Sequence, residues 1–245
     1  DVCSSDLRDF ITLPADQQEF LQELYHVNKN VVLVLVAGSP LSILWEDKNI
    51  PAIVNAWYPG EKGGTAVAEV LFGKYNPAGR LPLTYYNRIE DLPPFDDYDI
   101  TKRTYKYFDG PVLYPFGFGL SYTDFAYSDL ALESPADFKA GDVLKVSVKV
   151  TNTGGKAGKE AVLLYSSDLV ASLIPDVKRL RAFEKITLQP GETKTVSFTL
   201  PASELAFVGA DGRWRLEEGD FRLSCGGLGV MVHCRQTRIW QTPNI

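Results

Sequence analysis

Apolar residues recur along this chain with two different periods, and the change from one to the other divides it. In "PADQQEFLQELYHVN", Phe20, Leu21, Leu24 and Tyr25 fall at helical spacing, with Pro14 at the opening and Asn28 or Asn30 at the close. "VVLVLVA" (Val31 to Ala37) is rich in β-branched residues and apolar throughout, the pattern of a parallel strand covered on both faces. "SPLSILWEDKN" predicts a short helix with Ser39 as cap and Pro40 in the first turn. "PAIVNAWYP" predicts the next strand, and "GEKGGTAVAEVLFGK" a helix from near Gly63 to Gly73. Helix–strand–helix–strand–helix in this order predicts a parallel sheet with helices on both faces.

From Asn76 to Tyr122 no period is sustained, and Pro, Tyr and Phe cluster. A stretch of that length without regular structure is functional or a strap between domains. Beyond it the period becomes two. "VLKVSVKVTNTG", "EAVLLYSSD", "KRLRAFEKITLQPGETKTVSFTL", "LAFVGADGRWRLEEGDFRLSCGG" and "VMVHCRQTRIW" alternate apolar and polar residues between turn signals. "LQPGET" places Pro190 and Gly191 in a tight turn, and "GADGRW" predicts an Asp-Gly hairpin. About seven short strands in roughly a hundred residues predict an immunoglobulin-like sandwich. The boundary falls near Ser121 to Phe125. The fold class is therefore α/β followed by all-β.

Composition narrows the function classes. The net charge is −6 and no Lys/Arg run stands out, so nucleic acid is not an expected partner. The longest apolar run, Val31 to Ala37, is far too short for a membrane helix, and no membrane partner is expected. Three Cys and two His are too few and too scattered for a zinc site.

Each chemical motif has a plainer competitor. "WYPGEKGGTAVAEVLFG" runs strand, Gly-rich turn, helix, which raises phosphate binding at a helix N-terminus. The P-loop order of Gly, four residues and Gly-Lys-Ser/Thr is absent, as is G-x-G-x-x-G. Gly63 and Gly64 then read as residues for close helix–strand packing and a positive-φ turn. Asp91, Asp96, Asp97, Asp99 and Asp109 crowd among Tyr and Arg in "DLPPFDDYDITKRTYKYFDG". They have the composition of a sugar-site edge, but a solvated interdomain strap outweighs it. His26 and His233 lack a G-x-S-x-G partner and read as structural. If "GGLGVMVH" is a hairpin turning at Gly226–Gly229, Cys225 faces Val230 and Cys234 pairs near Phe221. That separation is about 13 Å, beyond the ~7 Å limit for a disulfide, so free thiols are expected. Trp214 and Trp240 are expected to fill core or edge.

"IPAIVNAWYPGEKGGTAVAEVLFGKYNPAGRLPLTYY" resembles the second domain of glycoside hydrolase family 3, the β-glucosidases and β-xylosidases. The pattern W-Y-P-G-x-x-G-G, A-x-V-L-F-G, N-P-x-G-R-L-P-x-T falls on Trp57 to Gly64, Ala68 to Gly73 and Asn76 to Thr84. "YPFGFGLSYTDF" (Tyr114 to Phe125) resembles the family's junction into a fibronectin type III-like domain, and "GKEAVLLYSSD" and "LQPGETKTVSFTL" resemble that domain's strands. The closing "IWQTPNI" resembles the C-terminus of a Bacteroidetes-type member.

The resemblance implies a partial three-layer α/β sandwich over 8–120, strap included, and the fibronectin type III-like domain over 121–245. It implies a retaining exo-β-glycosidase acting on terminal β-linked xylose or glucose of oligosaccharides, with xylose the first expectation from "LPPFDDYDITKRTYKYF". No metal or cofactor is implied. Family members place the nucleophilic Asp on an N-terminal barrel and the acid/base Glu shortly before an Asp-Arg-x-x-(Ile/Leu)-x-Leu-Pro segment, here "RDFITLP". Both are expected to be missing from this chain, together with the barrel, so no catalytic residue is assigned and the chain alone is expected to be inactive. The parent is expected to be a periplasmic or secreted bacterial enzyme. The competing reading is a non-catalytic module that binds carbohydrate or a partner. "DVCSSDL" (Asp1 to Leu7) fits neither. As GAC GTG TGC TCT TCC GAT CT(N) it resembles the end of a short-read sequencing adapter, and residues 1–7 are expected to be an artefact of it.

Overall fold

The computed structural model describes residues 10–94 and 96–241. The adapter-like stretch, Cys3 and the last four residues lie outside them. The chain forms two compact units. One comprises Asp1–Tyr75, Leu81–Lys102 and Asp109–Phe118; the other comprises Asn76–Arg80, Arg103–Phe108 and Gly119–Ile245.

The first unit contains the expected α/β alternation: α1 (Ala15–Val27), β1 (Val32–Leu35), α2 (Leu44–Asn49), β2 (Ala52–Asn55) and α3 (Gly63–Leu71). Strands β1 and β2 pair in parallel, Val32 against Ala52 through Leu35 against Asn55. Two short strands follow, β3 (Tyr85–Tyr86) and β4 (Val112–Tyr114), paired antiparallel. The helix expected from Ser39 starts only at Leu44. Leu41 and Ile43 are buried with Leu35 in the small core of this unit. Between them Ser42 bridges in parallel to Thr12 and donates its backbone N–H to the Ile11 carbonyl. An extended backbone serves both tasks, so the Ser39–Pro40 cap signal is overridden.

The stripe read on α1 also behaves differently from expectation. Leu21 is buried, but Phe20 and Leu24 are exposed. Gly63 provides the close approach foreseen for it, though to Pro59, whose ring a Cβ would meet at 2.5 Å. The positive φ belongs to Gly60, at +66°, and Gly64 faces open space.

The second unit is the β-sandwich. Strands β5 (Phe125–Leu132), β7 (Val143–Asn152) and β10 (Thr193–Pro201) form one sheet in the order β10-β7-β5. Strands β6 (Asp137–Phe138), β8 (Gly158–Asp168), β9 (Arg179–Leu188), β13 (Gly219–Cys225) and β14 (Leu228–Cys234) form the other, ordered β6-β14-β13-β8-β9. A small third sheet joins β11 (Phe207–Val208), β12 (Trp214–Leu216) and β15 (Arg238–Trp240). Alternate residues point inward: Val146, Val148 and Val150 on β7, Val162 and Leu164 on β8, Phe221 and Leu223 on β13 make one continuous core. Trp214 and Trp240 pair across β12 and β15 and pack against that core.

The turn chemistry matches the sequence. Gly191, at φ +76°, follows Pro190 in a turn closed by Glu192 N–H to the Gln189 carbonyl, and Gly212, at +73°, turns the Asp-Gly hairpin. The thiol-bearing hairpin is tighter than expected. Gly226 and Gly227, both at positive φ, form a two-residue loop, so Cys225 pairs with Leu228 and Cys234 with Gly219. Both thiols are free and buried, and burial raises the Cys225 thiol to about 12.

The row Gly158, Glu160, Val162, Leu164, Ser166 is the inward face of β8, and one member is a carboxylate. Arg80 answers it. Its Nη2 donates to Glu160 Oε2, with side-chain exposures of 12% and 9%, so the pair is desolvated. The Tyr127 hydroxyl donates to the other oxygen at 2.8 Å, and burial followed by that carboxylate pushes the phenol far above its usual range. Asn76 holds the same segment. Its Nδ2 donates to the Ala157 carbonyl at 2.9 Å, and its Oδ1 accepts from Ser121 Oγ and Tyr122 N–H at 2.7 Å each. Gly119 is needed here because a Cβ would lie 2.2 Å from the Gly79 carbonyl oxygen.

Two outcomes follow from this packing. Arg80→Ala leaves Glu160 buried without its cation and is expected to destabilise the sandwich by about 3 kcal/mol, with part recovered in Arg80→Ala/Glu160→Gln. Urea unfolding of the three chains checks this, and an unchanged Arg80→Ala midpoint contradicts it. Hydrogen exchange should be slowest in β7, β8 and β13, retained in 76–80, and fastest in α1 and β1, where the buried core is small. Equal protection across all of these elements would show that the first unit is as stable as the sandwich.

Candidate functional site

Parallel strands in an α/β unit present ligand sites beyond their carboxyl ends. Here those ends carry Val36 to Pro40 after β1 and Ala56 to Gly60 after β2, and they meet: the Ala56 amide bonds the Leu35 carbonyl at 2.8 Å. Trp57 has φ +54°, a left-handed backbone costly for a bulky residue. Asn55 braces it. Its Oδ1 accepts from the Trp57 N–H at 3.4 Å, and its Nδ2 donates to the Tyr85 hydroxyl at 2.8 Å. Tyr58 projects next, 73% exposed. Its ring tip lies on Gly38, where any Cβ would be 2.4 Å from Tyr58 Cε2. Gly60 then closes the loop onto α3 by accepting the Gly63 N–H at 3.1 Å.

Behind this loop stands an aromatic and acidic cluster. Tyr85 is buried, and burial raises its phenol. Tyr114 lies 5.9 Å from it, stacks on Phe118 at 4.9 Å, and donates its hydroxyl to Asp47 Oδ1 at 2.5 Å. Burial, and then Asp47, push the Tyr114 phenol far above its usual range. Glu46, beside Asp47 on α2, is 1% exposed, and its Oε1 has no hydrogen-bond partner among the described residues. The sequence reading missed Glu46, although an acidic residue in the short run between Ile43 and Ile50 was a visible signal.

The sequence-proposed candidates do not gather here. Asp91 Oδ2 accepts from the Arg88 N–H, Asp97 Oδ1 from the Asp99 N–H, and Asp99 Oδ1 from Thr101. Asp96, Asp97, Asp99 and Asp109 are exposed. That is the geometry of a turn-rich, solvated strap. His26 is an exposed residue in the last turn of α1. His233 pairs across the β13–β14 hairpin with Asp220, Nδ1 to Oδ1 at 2.7 Å. Among the described residues, no group of three His, Cys, Asp or Glu is placed to hold a metal ion, and no helix is long and apolar enough to cross a membrane.

In the sandwich, burial raises the Asp168 carboxyl to about 6, with Glu217 and Asp176 adding to the shift. Such a carboxyl has the signature of an acid catalyst. Its contacts say otherwise: Asp168 Oδ1 accepts the Val170 N–H at 3.3 Å, and Glu217 Oε2 accepts the Ser172 N–H at 2.7 Å. The two carboxylates anchor the β8–β9 loop.

Residues 4–122 match the glycosyl hydrolase family 3 C-terminal domain, and residues 160–228 match a fibronectin type III-like domain. A periplasmic beta-glucosidase of Salmonella typhimurium is 42% identical over 232 residues, spanning 89% of this chain and 30% of that protein. A xylan 1,4-beta-xylosidase of Xylanibacter ruminicola is 41% identical over 220 residues, spanning 89% and 25%. The beta-glucosidase of Kluyveromyces marxianus in complex with glucose superposes with a TM-score of 0.85 at 31% identity, over 95% of this chain and 30% of that one. The chain thus spans about 30% of the length of the relatives it matches.

Asp168 carries a pH signature. Its carboxyl is raised in the folded state above its value of 3.8, so the folded chain holds the proton longer, and stability falls as pH rises from about 4 through 6. Asp168→Asn keeps the acceptor for Val170 and removes the charge. It is expected to flatten that slope and to unfold at the same or a higher temperature at pH 7.5. Thermal melts across the pH range check this; an unchanged slope contradicts it.

Proposed function

The chain belongs to glycoside hydrolase family 3 by its match over residues 4–122, and on that premise we propose that it is the C-terminal part of a retaining exo-β-glycosidase that removes terminal β-linked xylose or glucose from oligosaccharides. The observation that carries this is the pairing of 42% and 41% identity with only 30% and 25% coverage of relatives named as β-glucosidase and β-xylosidase. In this reading the remainder of the parent supplies the barrel with its Asp nucleophile, and the acid/base Glu lies before Arg8. Two carboxylates flanking the scissile bond are what the double displacement needs, and no metal or organic cofactor takes part. The α/β unit contributes a wall of the substrate cleft. A periplasmic or secreted location for the parent is supported by the name of the Salmonella relative.

The chain without its barrel lacks both reacting groups. The purified chain is therefore expected to release no nitrophenol from aryl β-xyloside or aryl β-glucoside, whereas the polypeptide extended with its upstream coding sequence hydrolyses one of them. Turnover by the chain alone at ordinary glycosidase rates would place the acid/base pair within residues 8–245.

A further inference from the structure

An exposed aromatic side chain held in one position differs from one left free. Tyr58 stands 73% exposed at the carboxyl end of the parallel β1–β2 pair. Three constraints fix it. Its ring tip rests on Gly38, the Trp57 backbone before it is locked at φ +54° by Asn55, and the Gly60 turn after it closes onto α3. Gly63 lets the Pro59 ring pack down, which removes the remaining freedom of the loop. Left-handed backbone at a tryptophan costs free energy, and a fold keeps such strain where it positions something. What is positioned is an apolar ring carrying a hydroxyl, open to solvent, at the end of the sheet where α/β units bind ligands.

A pyranose matches that surface. Its axial C–H groups form an apolar face, and its hydroxyls form a polar rim. Stacking the face on a fixed aromatic ring buries apolar area with little loss of side-chain entropy, because the ring is already ordered. We propose that Tyr58 is a sugar-stacking residue of this chain, contacting a β-linked pentose or hexose unit through its ring face. The assignment rests on the reading of the chain as part of a sugar-processing enzyme, but it fails separately from it. Hydrolysis by the extended polypeptide tests the reaction; binding to this chain tests the stacking.

Saturation-transfer NMR on the full chain with xylobiose, and in parallel with cellobiose, provides the measurement. Affinity of about millimolar Kd is within reach of that method. Transfer is expected at the C–H protons of one sugar ring. Tyr58→Ala should weaken it about three- to tenfold, the range that an aromatic contact covers, while Tyr58→Phe and Tyr58→Trp keep it. Near-UV circular dichroism of the Phe variant checks that the loop is undisturbed. Gly38→Ala, which pushes on the ring tip, should weaken transfer as well. No transfer to either disaccharide, or equal transfer in wild type and Tyr58→Ala, overturns the proposal. Loss of transfer in Trp214→Ala or Trp240→Ala, with none in Tyr58→Ala, also overturns it and places the sugar on the sandwich.

Discussion

Glu160 sits on the inward row of β8 between Gly158 and Val162, and a carboxylate there is tolerable only with a cation in place. Arg80 is that cation, and Tyr127 occupies the other carboxylate oxygen. A buried pair of this kind contributes little net stability compared with apolar residues of the same size, but breaking it is costly. Its effect is therefore selective. The segment from Asn76 to Arg80 has one place to go, fixed at its start by the Asn76 bonds and at its end by the arginine. Gly119 and Gly158 are small where this segment runs past them, since a Cβ at either would strike it.

The first unit is organised by a different economy of forces. Its buried apolar centre is Leu35, Leu41 and Ile43 with a few half-buried neighbours, whereas the sandwich has a continuous core from β7, β8, β10 and β13. What it has in quantity is aromatic and polar: Tyr85, Tyr114, Phe118, Asn55 and Asp47 joined by hydrogen bonds and ring contacts, with the strained Trp57 above them. Polar networks specify geometry more than they add stability. The unit is thus shaped to hold a loop in place.

Much of this was legible beforehand because the signals were local. The period-two strands, the Pro-Gly turn at 190–191 and the Asp-Gly turn at 211–212 act through their own backbone, and they appear where the chain predicts them. The failures were non-local. Ser39 and Pro40 cap no helix because Leu41 and Ile43 are drawn into a core whose other members lie elsewhere in the chain. The hairpin after Cys225 turns at Gly226–Gly227 rather than across four residues, since two consecutive positive-φ glycines suffice. Of the candidate site, the strap carboxylates were visible, and Asp91, Asp97 and Asp99 proved to accept nearby backbone N–H groups in turns. Tyr58 was visible only as part of a motif, because its exposure depends on Gly38, twenty residues earlier. Glu160 announced its need for a partner by standing in an apolar row, but nothing in the row named Arg80.

The five residues from Asn76 to Arg80 belong by sequence to the α/β domain match and by contact to the sandwich. A sandwich cut at the conventional boundary near Ser121 would carry Glu160 without its arginine, and Ser121 and Tyr122 without their acceptor. The β-sandwich is therefore not a portable module. Recombination that moved it alone into another protein would deliver a domain with an uncompensated charge in its wall, so the heritable unit has to begin well upstream of the first strand, which starts at Phe125, at about Asn76.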